Sequence, residues 1–125
     1  MPDLADPPQA RNAPPALTLG EALPAAALCA QALLQVLWHA LLHPPRPLPT
    51  ALVLTLVLLP LLALVPAALH SRRRALLVGG IVSLLYFSHG VMELWSNPPL
   101  RTLAAIEIAL ALLAVFGLRR SPARA

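Results

Sequence analysis

The sequence has no lysine and a single cysteine, Cys29, among its 125 residues. One cysteine excludes an internal disulfide, a CxxC redox pair and any cysteine cluster for zinc or iron–sulfur chemistry. Charge is scarce: 11% of residues are charged, where soluble domains carry roughly a quarter. A chain this small cannot cover its apolar content with so few polar side chains, so a soluble enzyme core is not expected. The sequence also lacks a glycine-rich phosphate loop, an HExxH pair and a dinucleotide fingerprint. No cofactor or metal is therefore expected, and no enzymatic activity.

What is present is apolar. Hydrophobic residues make up 58% of the chain, and its mean hydropathy is +0.75. Four stretches, 22–43, 50–69, 75–95 and 102–118, contain neither arginine nor lysine. As helices they would run roughly 33, 30, 32 and 26 Å, against a hydrocarbon core of about 30 Å. The breaks between them are short: His-Pro-Pro-Arg-Pro-Leu-Pro at 43–49, His-Ser-Arg-Arg-Arg at 70–74 and Ser-Asn-Pro-Pro-Leu-Arg at 96–101. Only helices and closed barrels satisfy every backbone group in lipid, and short links make neighbours antiparallel. The expected fold is all-α, an integral-membrane up-down-up-down bundle of four transmembrane helices over 21–118. Pro60 and Pro66 are expected to kink the second helix. Residues 1–20, with five prolines, read as a disordered cytoplasmic tail, and 119–125 as a short basic one. Asp3 and Asp6 argue against a cleaved secretory signal, which would open on basic residues.

All nine basic residues are arginine. The surplus lies between apolar runs, where it sets topology, so no nucleic-acid partner is expected. Arg11, Arg72, Arg73, Arg74, Arg119, Arg120 and Arg124 fall on one side, Arg46 and Arg101 on the other. This imbalance places both termini and the triple-arginine loop of the multi-pass chain in the cytoplasm. Trp38, Trp95, Tyr86 and Phe87 are expected near an aromatic belt at the outer side.

Polar groups inside a bilayer are costly and mark candidate sites. On the first helix Gln31, Gln35, His39 and His43 recur every four residues, along one face. On the third, Gly79, Ser83, Tyr86, Gly90 and Glu93 share an arc of roughly 80°, with His89 at its edge. On the fourth, Ala104, Glu107, Ala111 and Ala114 form a narrow stripe where small side chains admit a close neighbour. His39, His89, Glu93, Arg101 and Glu107 make up the candidate cluster, placed in the outer half of the bundle. Gln31, Gln35, Ser83 and Tyr86 are the expected interhelical polar stripe. Two readings of the cluster remain open. It is a structural network pinning the last two helices, with Arg101 reaching Glu93 or Glu107, or a proton or cation site built on His89, Glu93 and Glu107. A Ser88, His89 and Glu93 hydrolase triad fails on geometry, because adjacent helical residues diverge by about 100°.

The segment Tyr86-Phe87-Ser88-His89-Gly90-Val91-Met92-Glu93-Leu94-Trp95-Ser96-Asn97-Pro98, followed by Arg101 and Leu103-Ala104-Ala105-Ile106-Glu107, resembles an uncharacterised family of small proteobacterial inner-membrane proteins, the domain of unknown function two-zero-six-nine. The resemblance implies a bacterial cytoplasmic-membrane protein without an established activity. It draws attention to His89, Glu93, Arg101 and Glu107 without assigning them roles. The function expected is a non-enzymatic accessory or assembly component that contacts the lipid bilayer and, as a homo-oligomer or with a membrane-protein partner, other chains. The alternative is a proton- or cation-binding subunit of a small transporter or channel.

Overall fold

In the computed structural model, residues 19–120 are described, and every regular element among them is helical. The proline-rich tail expected over 1–20 and the basic tail over 119–125 lie almost entirely outside the described residues. The elements are α1 (Leu19–Val36), α2 (Thr50–Leu62), α3 (Leu64–His70), α4 (Arg72–Ser96) and α5 (Arg101–Arg120). α1 runs on as a π-helical segment, Leu37–Leu42, and a 3₁₀ turn, Pro98–Leu100, leads into α5. Four stretches are long and apolar enough to cross a membrane: Ala22–Leu42, Thr50–His70, Arg74–Ser96 and Pro98–Leu118.

The second of these spans is broken where proline dictates. Pro60 and Pro66 remove two backbone donors, and the α2–α3 junction falls at Ala63, between them. Neighbouring α4 braces this weak point, where the Tyr86 hydroxyl donates to the Val57 carbonyl. The turn between α3 and α4 depends on Ser71. Its amide donates to Ala67 O at 3.2 Å, closing α3, and its side chain accepts the Arg74 amide at 3.2 Å, capping α4. That second bond satisfies one of the donors that every helix start leaves open.

α5 lies at the centre, packed against both α1 and α4. The contacting pairs run in opposite directions: on α1 Pro24 lies against Gly117 and Gln35 against Glu107, while on α4 Gly79 lies by Leu118 and Gly90 by Ala104. These helices are therefore antiparallel. Ala104, Glu107, Ala111 and Ala114 are the buried face of α5, and their small size lets both partners approach closely. Val82, Tyr86 and Ala111 form an apolar core, joined by Val57, Leu61, Val78 and Phe87.

Burial is inverted relative to a soluble protein. The largest fully buried side chains are Gln31, Gln35, Glu107 and Ser83, while leucines such as Leu41, Leu56, Leu62 and Leu69 stand exposed. In water this arrangement would be unstable. In hydrocarbon it is the arrangement expected, because apolar side chains lose nothing by facing lipid and polar groups must satisfy one another. The aromatic belt needs correction: Trp95 is 89% exposed, but Trp38 is only 2% exposed and Tyr86 is also buried. These two rings serve the interior of the bundle, not its interface with headgroups.

Candidate functional site

Glu107 is completely buried, and three residues from two other helices converge on it. From α1, Gln35 Nε2 donates to Oε1 at 2.5 Å and Gln31 Nε2 to the same oxygen at 3.2 Å. From α4, His89 Nδ1 lies 3.0 Å from Oε2 and 3.2 Å from Oε1. The i, i+4 spacing puts both amides on one helix face, and Gly90 beside His89 opens the space on α4 into which the carboxylate fits. Against an ionised carboxylate, which only accepts, His89 Nδ1 must carry its hydrogen. When the ring is doubly protonated, the contact becomes an ion pair.

A second layer surrounds His89. The His39 and His89 ring centroids are 6.4 Å apart, and Trp38 lies 5.7 Å from His39 and 5.9 Å from His89. His39 Nδ1 donates to Gln35 O at 3.2 Å, which leaves its Nε2 as an acceptor in the neutral ring. The π-helical segment that carries Trp38 and His39 is closed by a bond from the His43 amide to Trp38 O at 2.7 Å. Strict four-residue spacing drifts about 40° per step on an α-helix. The wider π turn opposes that drift and keeps His39 near the carboxylate face. No sequence signal announced this segment, although π turns are over-represented at functional sites.

The candidate residues do not all meet. Glu93 bonds Asn97 Nδ2 at 2.5 Å, one turn along its own helix. Arg101 does not pair with Glu93 or Glu107: its Nε donates to Leu94 O at 3.2 Å, on the exposed end of α4. The Pro98–Leu100 turn brings the start of α5 back over that end, so the guanidinium finds a free helix-terminal carbonyl first. Ser83 is buried in the stripe but bonds Gly79 O within α4, at 2.8 Å, and spans no helix pair. Of the arginines expected to set topology, Arg72 and Arg74 begin α4 and are exposed, while Arg73, Arg119 and Arg120 are described in backbone only.

The last span is longer than expected. The last span begins at Pro98, earlier than the 102 expected, because the 3₁₀ turn adds to its length. Within Pro98–Leu118, Glu107 is nine residues from one end and eleven from the other. A carboxylate within a span costs up to about 2.5–3.5 kcal/mol on insertion scales, and three donors offset that cost.

A family model described as "Predicted membrane protein (DUF2069)" matches residues 23–119. The chain belongs to this family. The DUF2069 match takes in all four spans but for Ala22, well beyond the stretch over roughly 86–117 that carries the resemblance. No curated protein and no solved structure matches the chain. Among the described residues of this DUF2069 protein, no group of three or more His, Cys, Asp or Glu is placed to hold a metal ion.

Proposed function

We propose that this DUF2069 protein is a non-enzymatic accessory or assembly component of the bacterial inner membrane, with both termini and the triple-arginine turn in the cytoplasm. The observation that carries the reading is the tie at Glu107. Three of the four buried polar side chains, Gln31, Gln35 and Glu107, are turned toward one another and with His89 join α1, α4 and α5. A polar network that ties three helices together specifies one packing that lipid alone would not order. Such a rigid core suits a protein that presents a fixed shape to a neighbour. The second span favours the same reading: only 6% of its apolar window is buried inside the bundle, against 28% for each of the other three.

Two measurements test the proposal. Reporter fusions at the carboxyl end and after His70 are expected to be active on the cytoplasmic side, and a fusion after Arg46 on the opposite side. A reversed pattern would overturn the orientation that arginine bias supports. Extracted from native membranes with its surrounding lipid, the protein is expected in particles holding more than one 13.3 kDa chain. Recovery as a single chain under those conditions would remove the assembly role.

A further inference from the structure

Two atoms spoil the otherwise complete bonding around Glu107. Gln31 Oε1 and Gln35 Oε1 are buried without a donor, although both side chains are almost wholly shielded from solvent. A buried acceptor without a partner is unfavourable and calls for an explanation. Both amides face a single atom, Glu107 Oε1. Rotating a glutamine amide by half a turn exchanges its oxygen and nitrogen without changing its shape. Each glutamine can therefore offer the carboxyl group either an N–H donor or a carbonyl acceptor. An ionised Glu107 uses the donors. A protonated Glu107 has an O–H to give: on Oε2 it faces His89 Nδ1, which accepts once that nitrogen has lost its hydrogen, and on Oε1 only a turned amide would receive it.

We propose that Glu107 is a reversible proton-binding site, in which Gln31 and Gln35 serve the carboxylate as donors and, after amide rotation, the acid as an acceptor, while His89 passes the proton. This reaches beyond the structural tie, which would hold in both protonation states. His89 is the one residue of the cluster that touches the carboxylate and is also substantially exposed, its side chain at 32% against 0% for Glu107. A proton arriving at His89 Nε2 makes the ring doubly protonated. The Nδ1–H bond then breaks as the Oε2–H bond forms, leaving a neutral ring protonated at Nε2 and a neutral acid, with one proton gained overall. Release runs the same steps in reverse.

The other titratable groups around the site are few. α1 contributes His39, beside His89, and α4 contributes Tyr86 and Glu93, of which Tyr86 donates to Val57 O and Glu93 holds Asn97. α5 has no other charged residue between Arg101 and Arg119, and α2 and α3 have none before His70. Among the described residues, Glu107 is thus the only carboxyl group with amide partners on a second helix.

The test is an infrared titration of the full chain in lipid vesicles, following the C=O stretch of protonated carboxyl groups over roughly pH 4 to 9, the range around ordinary carboxyl and imidazole values. Wild type is expected to show a band that appears and disappears reversibly while the helical circular dichroism is unchanged. Glu93→Gln should keep the band and Glu107→Gln should lose it. The double variant Gln31→Leu/Gln35→Leu keeps the carboxyl but removes its donors, and should shift the midpoint upward by about one unit, a tenfold tighter hold on the proton. Should Glu107→Gln fail to fold, ¹³C-labelled glutamate together with the double variant assigns the band. Absence of a reversible band before unfolding, its loss in Glu93→Gln, or a midpoint indifferent to the double variant would overturn the proposal. The tie at Glu107, tested separately by stability, would survive such a result.

Discussion

Replacing Glu107 with leucine is expected to destabilise the bundle by about 2–5 kcal/mol, taking three interhelical donors at about 0.6–1.7 kcal/mol each. The loss falls on the groups left behind. Gln31, Gln35 and His89 would keep buried N–H groups pointed at an aliphatic side chain, and an unsatisfied donor costs more than a hydrogen bond gains. The same asymmetry predicts that Gln31→Leu/Gln35→Leu/Glu107→Leu is more stable than Glu107→Leu alone, because two of the three donors then leave with the acceptor. Trp38 provides the readout: it is buried beside the site, so its fluorescence on a Trp95→Phe background follows the packing of α1 against α4 through a detergent-driven unfolding transition. If the three substitutions simply add, with no recovery in the triple variant, the residues are not coupled and Glu107 is not the tie.

Much of this architecture was legible from composition. The four spans follow from runs without arginine, and their ends from the Pro- and Arg-rich breaks, to within a few residues. The buried face of α5 could be read from the spacing of Ala104, Glu107, Ala111 and Ala114, since a lone acid among alanines on one stripe must face inward in lipid. The weak point near Ala63 follows from Pro60 and Pro66. These features are local, and local patterns depend only on residue type and helical period.

What could not be read is which stripe meets which. The glutamine stripe of α1 and the acid of α5 are separately visible, yet their contact depends on α1 and α5 being neighbours in the bundle, and chain order does not say so. Arg101 was misassigned for a related reason. Charge complementarity pointed to the nearby acids, but the 3₁₀ turn delivered the guanidinium to the Leu94 carbonyl. Trp38 was misplaced because an amphipathic ring near a helix end suits a headgroup belt, whereas the π-helical segment turned it inward against two histidines. In each case the deciding term was a tertiary or backbone geometry with no counterpart in residue spacing.

The glycines offer a second large effect and a sharp contrast between sites. A Cβ at Gly90 would stand 2.9 Å from Ile108 Cγ1, 3.2 Å from Ala104 O and 3.4 Å from Glu107 Oε2. The Ala104 carbonyl belongs to a helix backbone and cannot move aside alone, so α4 and α5 would have to separate. Gly90→Val is expected to cost about 3 kcal/mol, the upper end of the usual overpacking range. At Gly79 the nearest atoms to a Cβ are 3.6 Å and farther, all leucine methyl groups. There Gly79→Ala should be neutral or stabilising by up to about 1 kcal/mol, the helix-propensity gain of alanine over glycine. Both are checked by the same unfolding transition. Gly90 carries a further consequence, because separating α4 from α5 also pulls His89 away from Glu107. The losses from Gly90→Val and Glu107→Leu should therefore overlap in the double variant, falling short of their sum, as expected for substitutions that break one shared contact. A fully additive pair would mean that the close approach at Gly90 and the tie at Glu107 are independent, and that the small-residue stripe serves packing alone.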